Sequence, residues 1–130
     1  SKYYLTDLSL YFSLSTDNQL NYGPSLENIV YLYLISNGYQ VSVGKIGNFE
    51  CDFIIRKENR EYAYIQVTYT LQGEDAKATN RIKEREYRPF RYIRNGYPRY
   101  IISLDRYRDQ QEGVKHINAI DLMLGKENLI

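Results

Sequence analysis

The chain has 130 residues, of which 43% are hydrophobic and 25% charged, and its formal net charge is +1. This length allows one hydrophobic core and excludes two ordinary domains. No apolar run approaches the roughly 18 residues of a transmembrane helix and no signal-peptide pattern is visible, so the sequence predicts no membrane partner. Because the single cysteine, Cys51, cannot form an internal disulfide, we expect a reducing, cytoplasmic setting.

The first strong pattern is a helix that begins at Pro24-Ser25 and ends at Asn37-Gly38. Its apolar positions follow helical spacing: Leu26, Ile29, Val30, Tyr33 and Leu34. Glu27 lies beside this stripe. Its carboxylate either stabilises the positive end of the helix or points into a cleft between helix and sheet, and the sequence leaves both interpretations open. Upstream, the segment KYYLTDLSLYFSL is expected to be extended and then helical, with Asp7 as a helix cap.

Three strands are predicted next. The first covers residues 39–43 and ends in a turn at residues 44–48. The next two form a hairpin in ECDFIIRKENREYAYIQVTY, residues 50–69, whose turn contains Asn59. Alternation places Asp52 opposite the apolar face that contains Cys51, and it places Gln66 and Thr68 together on one face of the following strand. Because a buried carboxylate needs a partner or a cation, Gln66 is the expected neighbour of Asp52.

The second half of the chain alternates helix and strand. A helix capped by Asp75 is predicted to run to Arg94, with a kink or restart at Pro89. Strands follow at residues 100–104 and 114–120, and a short helix at residues 121–124. A three-strand meander and a fourth strand reached through a helix predict an α/β fold, in which helices flank a mixed sheet on both sides.

Basic residues are concentrated between residues 81 and 108, where nine Lys and Arg face three acidic residues. Such a strip is most often a solvated helix face, and less often a phosphate-binding surface. In the second case the candidate nucleic-acid ligands are Arg81, Lys83, Arg85 and Arg88.

Glu27, Asp52, Gln66 and Thr68 form the constellation with the clearest chemical meaning. One helix acid and polar side chains on adjacent strands can converge at one face of a sheet. Hard cations such as Mg²⁺ prefer oxygen ligands, and a bound Mg²⁺ can polarise a phosphodiester and activate water.

The order of elements resembles the PD-(D/E)xK restriction-endonuclease-like superfamily. More closely, it resembles a nuclease-like domain of unknown function at the C-terminus of bacterial and archaeal AAA+ ATPases. The resemblance covers nearly the whole chain: KYYLTDLSL, LENIVYLYLISNGYQVSVGK, ECDFII, YIQVTYTL, REYRPF, GYPRYIISLD and GVKHINAIDLML. It implies a single domain, residues 1–130, taken from the C-terminal end of a longer AAA+ ATPase. It also implies that Glu27, Asp52 and Gln66 are metal-binding positions and that Thr68 stands where active members have lysine.

Two departures from the family pattern shape the functional expectation. Gln66 replaces a carboxylate by a neutral amide, and Thr68 removes the cation that would activate water. We therefore expect a degenerate site with weak Mg²⁺ binding, in a domain that binds DNA or a protein partner, including its own ATPase domain. The alternative is an active Mg²⁺-dependent nuclease with Glu27, Asp52 and Gln66 as ligands. Lys45 is the candidate for a migrated catalytic lysine.

Three further features have less specific readings. His116 is the single histidine and is expected to be structural, and Cys51 is expected in the core. The run Glu84-Arg85-Glu86-Tyr87 matches the family's second-helix motif; it either lines the cleft or forms ion pairs one turn apart along the helix. No phosphate-binding glycine loop is present, so an ATPase activity would reside outside this domain.

Overall fold

The computed structural model describes residues 25–46, 49–58, 61–106 and 110–130. Its elements are α1 (Leu26–Ser36), β1 (Gln40–Ile46), β2 (Phe49–Arg56), β3 (Ala63–Val67), α2 (Ala76–Tyr87), a 3-10 helix (Arg88–Tyr92), β4 (Arg99–Ser103), β5 (Gln110–Gln111), β6 (Val114–Asn118) and α3 (Ala119–Met123). The strands form one six-stranded sheet in the order β1-β2-β3-β4-β6-β5. β1, β2 and β3 are an antiparallel meander, whereas β4 runs parallel to β3 and β6 runs parallel to β4. The predicted α/β class and its order of helix, three strands, helix and strand are confirmed.

Helices flank the sheet on both faces. On one face, α1 and α3 bury apolar side chains against the inward-facing residues of β2, β3, β4 and β6: Leu26, Val30, Leu34 and Leu122 pack on Phe53, Ile55, Ile65, Ile102 and Ile117. On the other face, Tyr87 and Phe90 pack on Ile101 and Val114. Neighbouring residues of β4 contribute to opposite faces because side chains alternate along a strand. No helix in the described parts of the chain is long and apolar enough to cross a membrane.

The start of α1 is fixed by two hydroxyl groups. Ser25 is the helix cap, and its Oγ accepts a hydrogen bond of 3.1 Å from the Asn28 N–H. The phenolic oxygen of Tyr69 accepts a second hydrogen bond, of 3.2 Å, from the Leu26 N–H. The first N–H groups of a helix have no partner within the helix, so the Ser25 bond caps α1 locally and the Tyr69 bond anchors it to the segment that follows β3.

The turn predicted at residues 44–48 is wrong in its first half, because β1 continues to Ile46. The register against β2 shifts between Ser42 and Gly44. A side chain at Gly44 would place its Cβ 2.2 Å from the Ile54 Cδ1, so glycine lets the irregular strand lie against β2. The predicted helix near Asp7 and the turn residue Asn59 lie outside the described residues; within the described part of that turn, Glu58 has φ 56°.

Other element ends also differ from the predictions. The second helix stops at Tyr87 rather than Arg94 and continues as the 3-10 helix, because Pro89 has no N–H to donate to the preceding turn. The last long strand stops at Asn118 rather than Ile120. The Asn118 side chain accepts a hydrogen bond of 3.0 Å from the Asp121 N–H and so starts α3 two residues early.

Asp105 connects the loops at the carboxyl ends of β3 and β4. Its Oδ1 accepts a 2.6 Å hydrogen bond from the Thr70 hydroxyl, and its Oδ2 accepts a 2.8 Å bond from the Leu71 N–H. Its carbonyl oxygen accepts a bond of 2.9 Å from the Asn118 amide. The Ser103 Oγ accepts from the Asp105 N–H and also lies 2.5 Å from Nε2 of the buried His116. His116 therefore has the expected structural position.

Replacing Gly73 by alanine should lower the free energy of unfolding by about 2 kcal/mol. A Cβ at this position would lie 2.4 Å from the Ala78 Cβ and 2.7 Å from backbone atoms at the start of α2, which cannot move independently. Urea denaturation measures the change. Gly96→Ala is the matched control, because a Cβ there has no atom within 4 Å. Equal stability of the two variants would contradict the predicted contact.

Candidate functional site

Asp52 and Gln66 occupy the point where the hydrogen-bonded ladder between β2 and β3 ends. The last paired residues are Phe53 and Ile65. One step further, the Asp52 N–H donates a 2.7 Å hydrogen bond to the Gln66 Oε1, and the Val67 N–H donates a 2.8 Å bond to the Asp52 Oδ2. The two side chains thus replace backbone carbonyls as acceptors where the strands diverge. The predicted proximity of Asp52 and Gln66 is confirmed.

A cleft of about 380 Å³ opens beside this pair. Its lining combines four carboxylates with one amide, one guanidinium and two apolar side chains: Glu27, Glu50, Asp52, Glu86, Gln66, Arg85, Val67 and Pro89. β2 and β3 contribute the floor, the N-terminus of α1 contributes one rim, and the end of α2 with the 3-10 helix contributes the other. The structure therefore brings Glu27, Asp52 and Gln66 to one cavity.

Glu27 fulfils both of the interpretations left open by the sequence. It lies in the first turn of α1, where a carboxylate interacts favourably with the helix dipole. It also lines the cleft, because the hydrogen bond that the Leu26 N–H donates to the Tyr69 hydroxyl holds this helix end beside the segment that follows β3. Its side chain is largely exposed, so Glu27 forms the open rim of the cavity.

Glu86 is a site residue that was left unassigned by the sequence. It is only 8% exposed, and its Oε1 lies 3.4 Å from the Gln66 Nε2, which donates to it. The signal was its helical spacing: Glu86 lies four residues after Ile82 and four before Phe90, both of which contact the core. Its neighbour Glu84 points outward to Arg91. Both alternatives that the sequence left open for this motif therefore occur, since Glu86 lines the cleft and Glu84 forms ion pairs.

Burial, and after it repulsion between neighbouring carboxylates, raises the pKa values of three acids in the cleft. Burial raises the pKa of Glu27, Asp52 and Glu86 above their ordinary range. Repulsion from Asp52 adds to the rise for both Glu27 and Glu86, and repulsion from Glu50 adds to it for Asp52. The hydrogen bond from Val67 opposes the rise at Asp52, and the one from Arg85 opposes it at Glu86. The site thus has excess negative charge that a bound cation would stabilise.

This electrostatic strain predicts an unusual pH dependence for Glu86→Gln. The raised pKa of Glu86 means that the folded protein loses stability as pH rises from its ordinary value of 4.5 through the folded value. Glu86→Gln does not lose stability in this way, because its amide does not titrate. Its stability relative to wild type should therefore increase with pH, in urea unfolding measured between about pH 3 and pH 8.

The control is Glu84→Gln, two residues away on the same helix. Its hydrogen bond with Arg91 lowers the pKa of Glu84, so its ionised form stabilises the fold and that stabilisation is lost as pH falls below 4.5. The control should lose stability relative to wild type as pH rises. Parallel pH profiles for the two variants would contradict the assignment of Glu86 to a crowded acidic cleft.

Thr68 and Lys45 do not enter the cleft, contrary to the expectation. The Thr68 hydroxyl donates a 3.2 Å hydrogen bond to the Thr70 carbonyl, and Thr68 is not among the residues that line the cleft. Lys45 is exposed on the edge strand β1, where it is paired in register with Glu50. Among the residues that line the cleft, Arg85 is the cation, and it is bound to Glu86.

Three of the nine basic residues of the strip form ion pairs with neighbouring carboxylates. Arg91 binds Glu84 at 2.6 Å and Glu112 at 2.9 Å, and Arg88 also contacts Glu84 at 3.9 Å. Arg85 forms an ion pair with Glu86 at the cleft. Arg81 and Lys83 lie on α2 outside these pairs, and the role of the strip in nucleic-acid binding stays a prediction.

The site has the donor chemistry but not the arrangement that Mg²⁺ needs. Carboxylate and amide oxygens are suitable ligands. In the described residues, however, no three His, Cys, Asp or Glu side chains are close enough to hold one ion. One oxygen of Asp52 and the amide oxygen of Gln66 already accept backbone N–H bonds. Cysteine chemistry is not available either, because burial raises the pKa of Cys51 to about 11 on the opposite face of β2.

The comparison with known proteins gives one similar chain. An uncharacterized protein of Haemophilus influenzae (strain ATCC 51907 / DSM 11121 / KW20 / Rd) is 31% identical over 126 residues. The match covers 95% of this chain but only 29% of that protein's length. No protein-family model matches the chain, and no solved structure matches it.

Proposed function

We propose that this chain is a nuclease-like domain with a degenerate metal site, which acts as a DNA- or protein-binding regulatory module of an AAA+ ATPase. The reciprocal bonds of Asp52 and Gln66 are the observation that supports it. In an active member of the resembled family, these positions offer oxygens to a metal ion. Here the same oxygens complete the β2–β3 pairing, and no lysine lines the described cleft. The Haemophilus relative matches over 29% of its length, which leaves space for a further domain in that protein.

A cleavage assay tests the loss of catalysis. Linear and branched DNA are incubated with the domain and millimolar Mg²⁺ or Mn²⁺, beside an Asp52→Asn variant. We expect no cleavage above the level of the variant. Metal-dependent cleavage that disappears in Asp52→Asn would contradict the proposal.

A second measurement tests whether the cleft retains cation affinity. Calorimetric titration of Mn²⁺ should give weak, millimolar binding in the wild type that Asp52→Ala abolishes, since two ligand oxygens are already hydrogen bonded. The same Asp52→Ala variant should bind DNA as well as the wild type, because a binding module does not depend on the metal. Loss of DNA binding in Asp52→Ala would contradict the proposal that the domain binds DNA independently of the metal.

An active metal-dependent nuclease is the second candidate, and Glu86 favours it. Its carboxylate adjoins Gln66 and lines the same cavity as Glu27 and Asp52. If Glu86 substitutes for the missing acid, Glu86→Gln should abolish cleavage as completely as Asp52→Asn does. The cleavage assay above therefore decides between the candidates when this variant is added to it.

A further inference from the structure

The sheet edge opposite the cleft carries a cluster of tyrosines and arginines. β3 and β4 are parallel and begin at this edge, while β2 is antiparallel to β3 and ends there. Tyr62 precedes β3, Tyr97 precedes β4 by two residues, and Arg56 is the last residue of β2. Tyr62 and Gln66 are four strand residues apart, or about 13 Å, so this edge is a surface separate from the cleft.

Tyr97 is half-buried and neighbours two other tyrosine rings. Its ring centroid is 6.0 Å from that of Tyr62 and 6.5 Å from that of Tyr64. The Arg56 guanidinium lies 5.1 Å from the centre of the Tyr62 ring, in a cation–π contact. Tyr62 is nevertheless 40% exposed. The rings therefore form a continuous aromatic surface with solvent access.

Hydrogen bonds fix this aromatic surface in place. The Asn95 amide donates a 2.9 Å bond to the Tyr64 hydroxyl, and the Asn95 Oδ1 accepts a 3.0 Å bond from the Tyr97 N–H. The Tyr64 N–H donates to the Pro98 carbonyl at 3.0 Å. The loop before β4 is thus tied to β3 through Asn95, and a ligand would meet rings that are already ordered.

The charges around the rings favour an anionic ligand. The described residues of this edge include four cations and two carboxylates: Arg56, Lys57, Arg94, Arg99, Glu58 and Glu61. Arg99 donates to the Asn95 carbonyl and is thereby held beside the loop that carries Tyr97. A guanidinium has five N–H donors in a fixed fork, so the donors of Arg99 that this bond does not use can bind a phosphate oxygen.

We propose that this edge binds single-stranded nucleic acid, with bases stacked on Tyr62 and Tyr97 and phosphates held by Arg94 and Arg99. Aromatic faces beside cations are what unpaired bases and their backbone require, and every base has a face that can stack. A duplex conceals those faces, so the surface is expected to prefer single strands. The inference concerns a surface other than the cleft and does not depend on the cleft's chemistry.

The test is the fluorescence anisotropy of a labelled 12-nucleotide dT strand titrated with the full chain at low salt. We expect binding that Tyr62→Ala and Tyr97→Ala each weaken by about tenfold. Tyr62→Phe and Tyr97→Phe keep the ring and should retain most of the affinity. The affinity of the wild type should fall steeply with salt, because phosphate contacts displace counterions.

Two matched controls make the result specific. Val43→Ala removes an exposed apolar side chain from the edge strand β1 and should leave dT binding unchanged. The double variant Arg81→Ala/Lys83→Ala tests the strip on α2. Absence of dT binding, equal affinity of the tyrosine-to-alanine variants and wild type, or loss of binding only in the α2 variant would overturn the proposal. The last result would still agree with a DNA-binding module.

Discussion

Asp105→Ala is expected to lower the free energy of unfolding by about 3 kcal/mol and the melting temperature by roughly 10 °C. Two charge-assisted hydrogen bonds disappear together, from the Thr70 hydroxyl at 2.6 Å and from the Leu71 N–H at 2.8 Å. The Leu71 N–H is left without that acceptor beside a leucine side chain that is 1% exposed. Thermal and urea denaturation both measure the loss.

Asp121→Ala is the control for Asp105→Ala, because it also removes an aspartate carboxylate, in this case from the first turn of α3. There the interaction is with a helix terminus, and the loss should stay below about 1 kcal/mol. Thr70→Val removes only the hydroxyl bond and should have an intermediate effect. If Asp105→Ala is no more harmful than Asp121→Ala, the loops after β3 and β4 are not held by this carboxylate.

Gln66→Glu is expected to destabilise the fold by about 3 kcal/mol at neutral pH and to strengthen Mn²⁺ binding at least tenfold. The amide nitrogen that now donates to the Glu86 Oε1 becomes an oxygen, which places two carboxylates together in a buried site that also contains Asp52. A dication relieves that repulsion and gains a ligand. Denaturation with and without Mn²⁺, and calorimetric titration, measure the two effects.

Gln111→Glu is the matched substitution on an exposed strand and should change stability by less than about 0.5 kcal/mol. Acidification should restore part of the stability of Gln66→Glu, since protonation removes the added charge. Unchanged Mn²⁺ affinity in Gln66→Glu would mean that the missing carboxylate is not what weakens the site. Adding Thr68→Lys should not create catalysis, because Thr68 faces the Thr70 carbonyl rather than the cleft.

The sequence predicted the floor of the site because the positions of its residues follow from local patterns within two consecutive strands. The alternation of β2 and β3 places Asp52 and Gln66 on one face, and a short connection between the strands brings the two residues opposite each other. The same alternation places Cys51 in the core, where it lies. The helix spacing of α1 likewise located its start beside Glu27.

The parts that the sequence did not predict depend on tertiary contacts. Glu86 is a polar residue at a buried helical position, and only the packing of α2 on the sheet shows that this position opens into a cleft. The Asp105 bonds join residues 34 and 35 positions apart. β5 has only two residues, too few to show a periodic pattern. Thr68 was assigned to the cleft because alternation was extended past Val67, where the strand ends.

Because β2 and β3 diverge at the cleft, the exchange rate of one backbone amide, that of Val67, depends on whether the cleft is occupied. The Val67 N–H is bound to a carboxylate oxygen of Asp52 rather than to a carbonyl of the neighbouring strand. A cation or basic side chain that draws the Asp52 Oδ2 into the cavity breaks this hydrogen bond and frees the Val67 amide for exchange. Hydrogen–deuterium exchange of the Val67 amide therefore measures occupancy of the cleft. Exchange of the Ile65 amide, two residues earlier in β3, measures only the stability of the sheet.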